Sequence, residues 1–174
     1  MFRNSTLPAL LLAGVLAGPA QAALTLDRNQ PIAIEADSAF IDEPAGSAIY
    51  RGRVELRQGT IRLRSGELTV YVENGKAVKA VAAGAPAQLD QAATGTEEAI
   101  QASARRITFL IGEDRMLLDN QASLKQGERL FQGAHIDYDV AKRRVNASGG
   151  ANSRVLLVLP PSAPATPAQP EATP

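Results

Sequence analysis

Residues 48–75, AIYRGRVELRQGTIRLRSGELTVYVENG, determine the fold that the sequence predicts. Apolar and polar residues alternate along this stretch with a period of two, which is typical of β-strands with one buried face rather than of an amphipathic helix. Breaks at Gln58-Gly59 and Ser65-Gly66 separate three runs, and Asn74-Gly75 supplies the two positive φ values of a tight type I′ hairpin. The stretch therefore predicts an antiparallel meander with one apolar face.

The rest of the chain continues this pattern. Residues 31–37 (PIAIEAD) open the domain, and Pro31 at their start suits an edge strand because proline lacks the backbone donor. Short strands then recur with Gly, Asn and Asp turns about every 8–12 residues, without a helix pattern. Three segments echo earlier ones about 67 residues before them, which predicts an internal repeat: 34–38 with 100–104, 54–59 with 122–127, and 78–80 with 145–147. The sequence predicts an all-β sandwich, jelly roll or open barrel with a strand at each end.

Residues 1–22 have the features of a cleaved secretory signal peptide. Arg3 provides the positive charge, a short apolar run follows, and Ala20-Gln21-Ala22 forms the cleavage site. A membrane span needs about 20 apolar residues, so this run is too short to be one. After cleavage, residues 23–159 form one exported domain, and residues 160–174 form a disordered Pro/Ala-rich tail.

Composition and motifs argue against several functions. The chain has no cysteine, so we expect neither a disulfide framework nor a thiolate metal site. Its 18 basic residues are balanced by 18 acidic ones, so bulk charge does not attract nucleic acid. The single histidine, His135, has the outward parity of a surface side chain. Asp137 and Asp139 share its face and could bind a cation weakly, but without a calcium-loop pattern a solvated face is favoured. No nucleophile, phosphate-loop or zinc-protease motif occurs, so the sequence predicts no enzyme, cofactor or metal site.

The polar face of the first meander carries five arginines: Arg51, Arg53, Arg57, Arg62 and Arg64. Guanidinium groups bind phosphates bidentately, which makes these residues candidate phosphate contacts. They could equally form the solvated side of a sheet with one apolar face. The sequence favours the second interpretation without excluding the first.

Three motifs, in this order, resemble the OstA-like periplasmic lipopolysaccharide-transport family: PIAIEAD at 31–37, GRVELRQG at 52–59 and GAHIDYD at 133–139. The resemblance covers nearly all of residues 27–159. It implies a β-jelly roll of two antiparallel sheets set as an open V. It also implies a carrier in the periplasm that binds lipopolysaccharide through the acyl chains of its lipid A.

The same resemblance implies partners. Copies of the chain would stack head to tail, edge strand to edge strand, into a bridge between the inner- and outer-membrane transport complexes. The inner-membrane anchor subunit would contact the N-terminal edge near Ile32. The outer-membrane translocon would contact the C-terminal edge at residues 154–159.

A carrier of acyl chains needs an apolar cleft, because each CH₂ group left in water costs about 0.8 kcal/mol. Eleven apolar residues share the inward parity and form the predicted acyl-chain cleft: Ile32, Ile34, Val54, Leu56, Leu68, Val70, Leu89, Phe109, Leu124, Ile136 and Tyr138. A packed core would use the same residues. A structural periplasmic adaptor with a solid core and no lipid ligand is therefore the alternative. The periplasmic part of a related inner-membrane anchor would share the fold, but a cleaved signal argues against a retained membrane helix.

Overall fold

The computed structural model describes residues 30–95, 98–151 and 153–161. The predicted signal peptide, and all but Pro160 and Pro161 of the predicted tail, lie outside these ranges. Ten strands make up most of the described chain: β1 (Ala33–Glu35), β2 (Ser38–Asp42), β3 (Ser47–Gln58), β4 (Ile61–Glu73), β5 (Lys76–Gln91), β6 (Ile100–Leu110), β7 (Arg115–Gln126), β8 (Arg129–Asp139), β9 (Arg144–Ser148) and β10 (Leu156–Val158). The described residues also contain one 3₁₀ turn, Ile111–Glu113, and no helix of the length and apolar character that a membrane crossing requires.

All ten strands belong to one antiparallel sheet, which confirms the all-β prediction. β3 to β8 each pair with the next strand along the chain, as the meander pattern predicts. Within the described ranges, β1 and β2 pair only with β3, and β9 and β10 pair only with β8. Among the residues that the structure describes, the sheet therefore begins and ends on short strands that have a neighbour on one side only.

The predicted hairpin at Asn74-Gly75 is confirmed, with φ values of 52° and 73° at the turn between β4 and β5. The prediction that a strand ends at Ser65-Gly66 is wrong, because β4 continues through these two residues. Gly52 and Arg53 of β3 there oppose the single residue Gly66 of β4. At this β-bulge the inward-facing residues of β4 change from odd-numbered to even-numbered positions. A turn between two strands produces the same change in the sequence pattern.

Register shifts of this kind occur near the middle of every long strand pair. Together they form a line across the sheet, which we call the bulge line: after Arg51 in β3, Arg64 in β4, Ala83 in β5, Ser103 in β6 and Asp119 in β7. The line divides the sheet into a β1 half, which contains β1 and β10, and a β2 half, which contains β2 and β9. Each strand from β3 to β8 contributes residues to both halves.

The sheet folds over at the bulge line. Gln126 of β7 lies in the β1 half, whereas Tyr138 of β8 lies in the β2 half opposite Met116 of β7. Along a flat strand the ten residues from Met116 to Gln126 would span roughly 33 Å. The Gln126 side-chain amide nevertheless donates a hydrogen bond of 3.4 Å to the Tyr138 hydroxyl. The two halves must therefore face each other as two layers made from one sheet.

This arrangement differs from the prediction of two sheets, because the two layers are halves of a single hydrogen-bonded sheet. The jelly-roll topology and the internal repeat stay predictions. Ile34 pairs with Leu56, whereas the corresponding residue Ile100 pairs with Gln126. Gln126 lies two positions beyond Leu124, the residue that corresponds to Leu56, so the two segments of the predicted repeat differ in register.

The hydrophobic core lies between the two halves. Leu68, Leu118 and Ile136 from the β2 half and Leu124 from the β1 half are fully buried and belong to one cluster. Burial of each such side chain stabilises the fold by about 1.5–3 kcal/mol relative to exposure. Packing across the interior therefore holds the folded-over sheet together.

Gly52 is expected not to tolerate a side chain. Its φ is +77°, and an added Cβ would collide with the carboxylate of Asp37, whereas Gly75 has φ +73° and no heavy atom within 4 Å of the same position. We expect Gly52→Ala to lower the free energy of unfolding by about 2–3 kcal/mol and Gly75→Ala by about 1 kcal/mol, measured by urea denaturation. Equal losses in the two variants would show that backbone conformation alone sets the cost at Gly52.

Candidate functional site

The eleven residues of the predicted cleft differ widely in exposure. Five of them are 0–2% exposed and form part of the packed core: Val54, Leu68, Leu124, Ile136 and Tyr138. Five others are partly buried and pack against that core: Ile34, Leu56, Val70, Leu89 and Phe109. Ile32 precedes β1 and is 54% exposed. The fold thus brings ten of these residues together around one apolar interior and leaves Ile32 at the N-terminal edge.

The apolar interior is covered unevenly along the sheet. Ala102 of β6 and Leu118 of β7 are 3% and 0% exposed. Other apolar side chains are only partly buried: Ile34 of β1, Tyr50 of β3, Phe109 of β6 and Phe131 of β8. An apolar ligand therefore finds partly exposed apolar side chains along the sheet from β1 to β8, whereas Ala102 and Leu118 are already covered.

Exposed apolar side chains lie on both edges of the sheet. Phe40 and Ile41 of β2 are 58% and 63% exposed, and Leu156 and Leu157 of β10 are 49% and 48% exposed. A strand with one neighbour also presents backbone donors and acceptors on its other side. Both edges therefore combine apolar surface with the geometry for adding a further strand.

Four of the five candidate phosphate-binding arginines already pair with carboxylates: Arg51 with Glu67, Arg53 with Asp37, Arg57 with Glu55 and Arg64 with Asp90. Arg62 has no carboxylate within 4 Å in the part of the chain that the structure describes. A paired carboxylate competes with a phosphate for the guanidinium group, so Arg62 is the most available of the five. Phosphate binding by these residues stays a prediction.

The ion pair between Asp37 and Arg53 joins the segment after β1 to the bulge in β3. Arg53 Nε donates to Asp37 Oδ1 at 3.0 Å, and the Asp37 amide donates to the Gly52 carbonyl at 2.9 Å. The hydrogen bond from Arg53 is the main cause that lowers the pKa of Asp37 below its ordinary value of 3.8. The pair therefore stabilises the fold above about pH 3.8, and this contribution is lost as the pH falls through the lower folded-state pKa.

The outward-facing polar residues at the end of the sheet pair with their neighbours: His135 Nδ1 with Asp119 at 2.6 Å, Asp137 with Arg115 at 2.5 Å, and Asp139 with Lys142 at 2.9 Å. Within the described ranges, no group of three or more His, Asp or Glu side chains is arranged to hold a metal ion. These contacts agree with the solvated strand face that the sequence favours.

Two buried glutamines have no counterpart among the site residues predicted from sequence. Gln91 ends β5 and Gln126 ends β7, and they are 7% and 5% exposed. Gln126 continues the inward alternation of Ala122 and Leu124, which is the sequence signal for its position. The polar amide obscures that signal, because the alternation of apolar residues marks the inward positions and Gln126 is not apolar.

The fold and the site together define an all-β protein with an apolar interior. Within the described residues, the strands at both ends of its single sheet pair with a neighbour on one side only. A family model described as "LptA/(LptD N-terminal domain) LPS transport protein" matches residues 33–144. The chain belongs to this family of lipopolysaccharide transport proteins. The resemblance that the three sequence motifs suggest is thereby confirmed.

Individual relatives agree with this assignment. The lipopolysaccharide export system protein LptH of Pseudomonas aeruginosa is 33% identical over 158 residues, which are 90% of each chain. LptA of Haemophilus influenzae is 30% identical over 151 residues, which are 85% of this chain and 87% of that protein. The crystal structure of P. aeruginosa LptH, described as the LptA homologous periplasmic component of the conserved lipopolysaccharide transport device, matches with a TM-score of 0.71 and 30% identity. The match covers 78% of this chain and 99% of the LptH chain.

Proposed function

We propose that this protein is a periplasmic carrier of lipopolysaccharide. It binds the lipid A acyl chains between the two halves of the sheet. It bridges the inner- and outer-membrane transport complexes by edge-strand stacking with the inner-membrane anchor, with further copies of itself and with the outer-membrane translocon. The role of its relatives in lipopolysaccharide export supports the cargo.

The observation that carries this proposal is an apolar interior bounded by an extendable edge at each end. An acyl chain of about twelve carbons costs on the order of 10 kcal/mol when it is exposed to water. Partly buried Ile34 and Tyr50 supply apolar surface near the N-terminal edge, and Leu156 and Leu157 supply it at the C-terminal edge. Stacked copies would join such surfaces into a longer sheltered path.

The alternative function, a structural adaptor with a solid core, is favoured by a different observation. Leu68, Leu124 and Ile136 are 0% exposed, so these members of the predicted cleft are covered by the protein's own side chains. A protein that never opens would use the two edges for docking and would carry no lipid. The two functions therefore differ in whether lipid reaches the inner face.

Photo-crosslinking tests which face the lipid contacts. A benzophenone amino acid at Ile34 faces the interior, whereas one at Arg53, whose side chain is 88% exposed, is the matched outward control on the paired strand. With purified lipopolysaccharide, we expect labelling at Ile34 to exceed labelling at Arg53 by about tenfold or more. Equal labelling at the two positions would contradict binding between the halves.

Native mass spectrometry of the mature protein distinguishes the carrier from the adaptor. A bound lipopolysaccharide mass together with concentration-dependent multimers is the result expected of a carrier that stacks by its edges. Multimers that take up no lipid at any concentration would favour the adaptor.

A further inference from the structure

We propose that the hydrogen bond between Gln126 and Tyr138 is a gate, which holds the two halves of the sheet together at β7 and β8 and must break before an acyl chain can occupy the interior there. The inference rests on the proposed carrier function and concerns how its groove opens. We refer to these two residues as the gate pair.

The position of the gate pair gives it control over opening. Gln126 is the last residue of β7 in the β1 half, and Tyr138 is the penultimate residue of β8 in the β2 half. Gln126 lies about five residues, or roughly 16 Å, from the bulge line, and Tyr138 lies about four residues, or roughly 13 Å, from it. If the two halves separate by bending at that line, the gap grows with distance from it. A contact at the far ends therefore resists separation more effectively than one near the bend.

The chemistry of the gate pair suits a contact that breaks and reforms. Its length of 3.4 Å is at the long limit for a hydrogen bond, so the bond is weak. Gln126 is 5% exposed and Tyr138 is 0% exposed, so both polar groups are shielded from water while the halves are closed. When the halves part, water can hydrate both groups, whereas a closed variant that lacks one partner keeps the other group buried without this bond, and that cost favours opening.

Lipid loading requires such an opening at β7 and β8. Leu118, Leu124 and Ile136 belong to the same core cluster as Tyr138 and are fully buried, so an acyl chain can contact them only if the halves move apart. The N-terminal edge is already accessible at Ile34 and Tyr50. Cargo would therefore pass β7 and β8 only when the gate pair separates.

Pulsed electron paramagnetic resonance can measure the separation of the halves without any lipid. The chain has no cysteine, so spin labels can be placed uniquely by Glu128→Cys and Ala141→Cys, two exposed positions in the turns after β7 and β8. Tyr138→Phe removes only the hydroxyl and keeps the packed ring, and Gln126→Leu removes the amide. Gln91→Leu is the matched control, because Gln91 is also a buried glutamine that ends a strand in the β1 half.

We expect both gate variants to lengthen the distance distribution relative to the parent and to Gln91→Leu. An unchanged distribution in both gate variants, with circular dichroism confirming that they are folded, would overturn the inference. Lengthening in Gln91→Leu to the same extent would also overturn it, because the effect would then belong to any buried amide.

Binding of purified lipopolysaccharide supplies the second measurement. Because less free energy is needed to open the variants, we expect each to bind lipopolysaccharide about 3- to 10-fold more tightly than the parent and Gln91→Leu. Equal affinities, with no lipid-induced lengthening in the parent, would overturn the gate. If no protein binds lipopolysaccharide at all, the carrier function fails, whereas the lipid-free distances still decide whether the pair holds the halves closed.

Discussion

Replacing Leu68 with alanine is expected to lower the free energy of unfolding by about 3 kcal/mol, the largest loss that we expect from one substitution in this domain. Leu68 lies on β4, is 0% exposed and packs in the cluster between the two halves. Its truncation removes buried apolar contacts and leaves a cavity that a sheet paired on both sides cannot close. The melting temperature should fall by roughly 10 °C. Urea denaturation and calorimetry measure the two quantities.

Leu157→Ala is the matched control, because the same atoms are removed from a side chain on β10 that is 48% exposed. We expect its effect to stay within about 0.5 kcal/mol. A loss below about 1 kcal/mol at Leu68 would contradict the packed core. It would show instead that Leu68 lines a groove that water already reaches, as a permanently open cleft requires.

Replacing both Phe40 and Ile41 with lysine is expected to raise the dissociation constant of self-association by about 100-fold or more. The two residues lie on β2, which pairs only with β3 in the described part of the chain. A strand added at this edge would cover both side chains, and the lysines would lose hydration without a defined partner. Lysine on edge strands is also a common natural defence against such pairing. Analytical ultracentrifugation measures the change.

The same substitution pattern at the other edge makes the test directional. Leu156→Lys with Leu157→Lys alters β10 and should also give monomers. Mixing the two variants should restore heterodimers and nothing longer, because the intact C-terminal edge of one can bind the intact N-terminal edge of the other. Multimers formed by either variant alone, with an unchanged circular dichroism spectrum, would contradict head-to-tail stacking.

Local signals in the sequence predict the strands well and their continuity poorly. Asn74-Gly75 specifies its hairpin because only a few residue types adopt two successive positive φ values, and the structure has both. Ser65-Gly66 produces the same change in alternation, yet β4 runs through it. A bulge depends on the neighbouring strand, where Gly52 and Arg53 oppose one residue. No pattern within β4 alone could distinguish the bulge from a turn.

The candidate site shows the same division. Inward parity correctly places Val54, Leu68 and Ile136 at the interior. Whether such residues form a cleft or a packed core depends on the distance between the two halves. The alternation of residues shows which face of a strand is inward, but it carries no information about that distance. The contact between Gln126 and Tyr138 joins residues that would be far apart if the sheet were flat, so it could be found only from the structure.

The continuous course of β3 to β8 through the bulge line also bears on how the protein folds. Each of these strands pairs with its successor along the chain, but the strands are long, so most contacts join residues at least 12 positions apart, which favours slow folding. Each strand also belongs to both layers, so one layer cannot lose the hydrogen bonds between its strands while the other layer stays intact. We therefore expect a single cooperative unfolding transition, with no intermediate in which one layer survives alone.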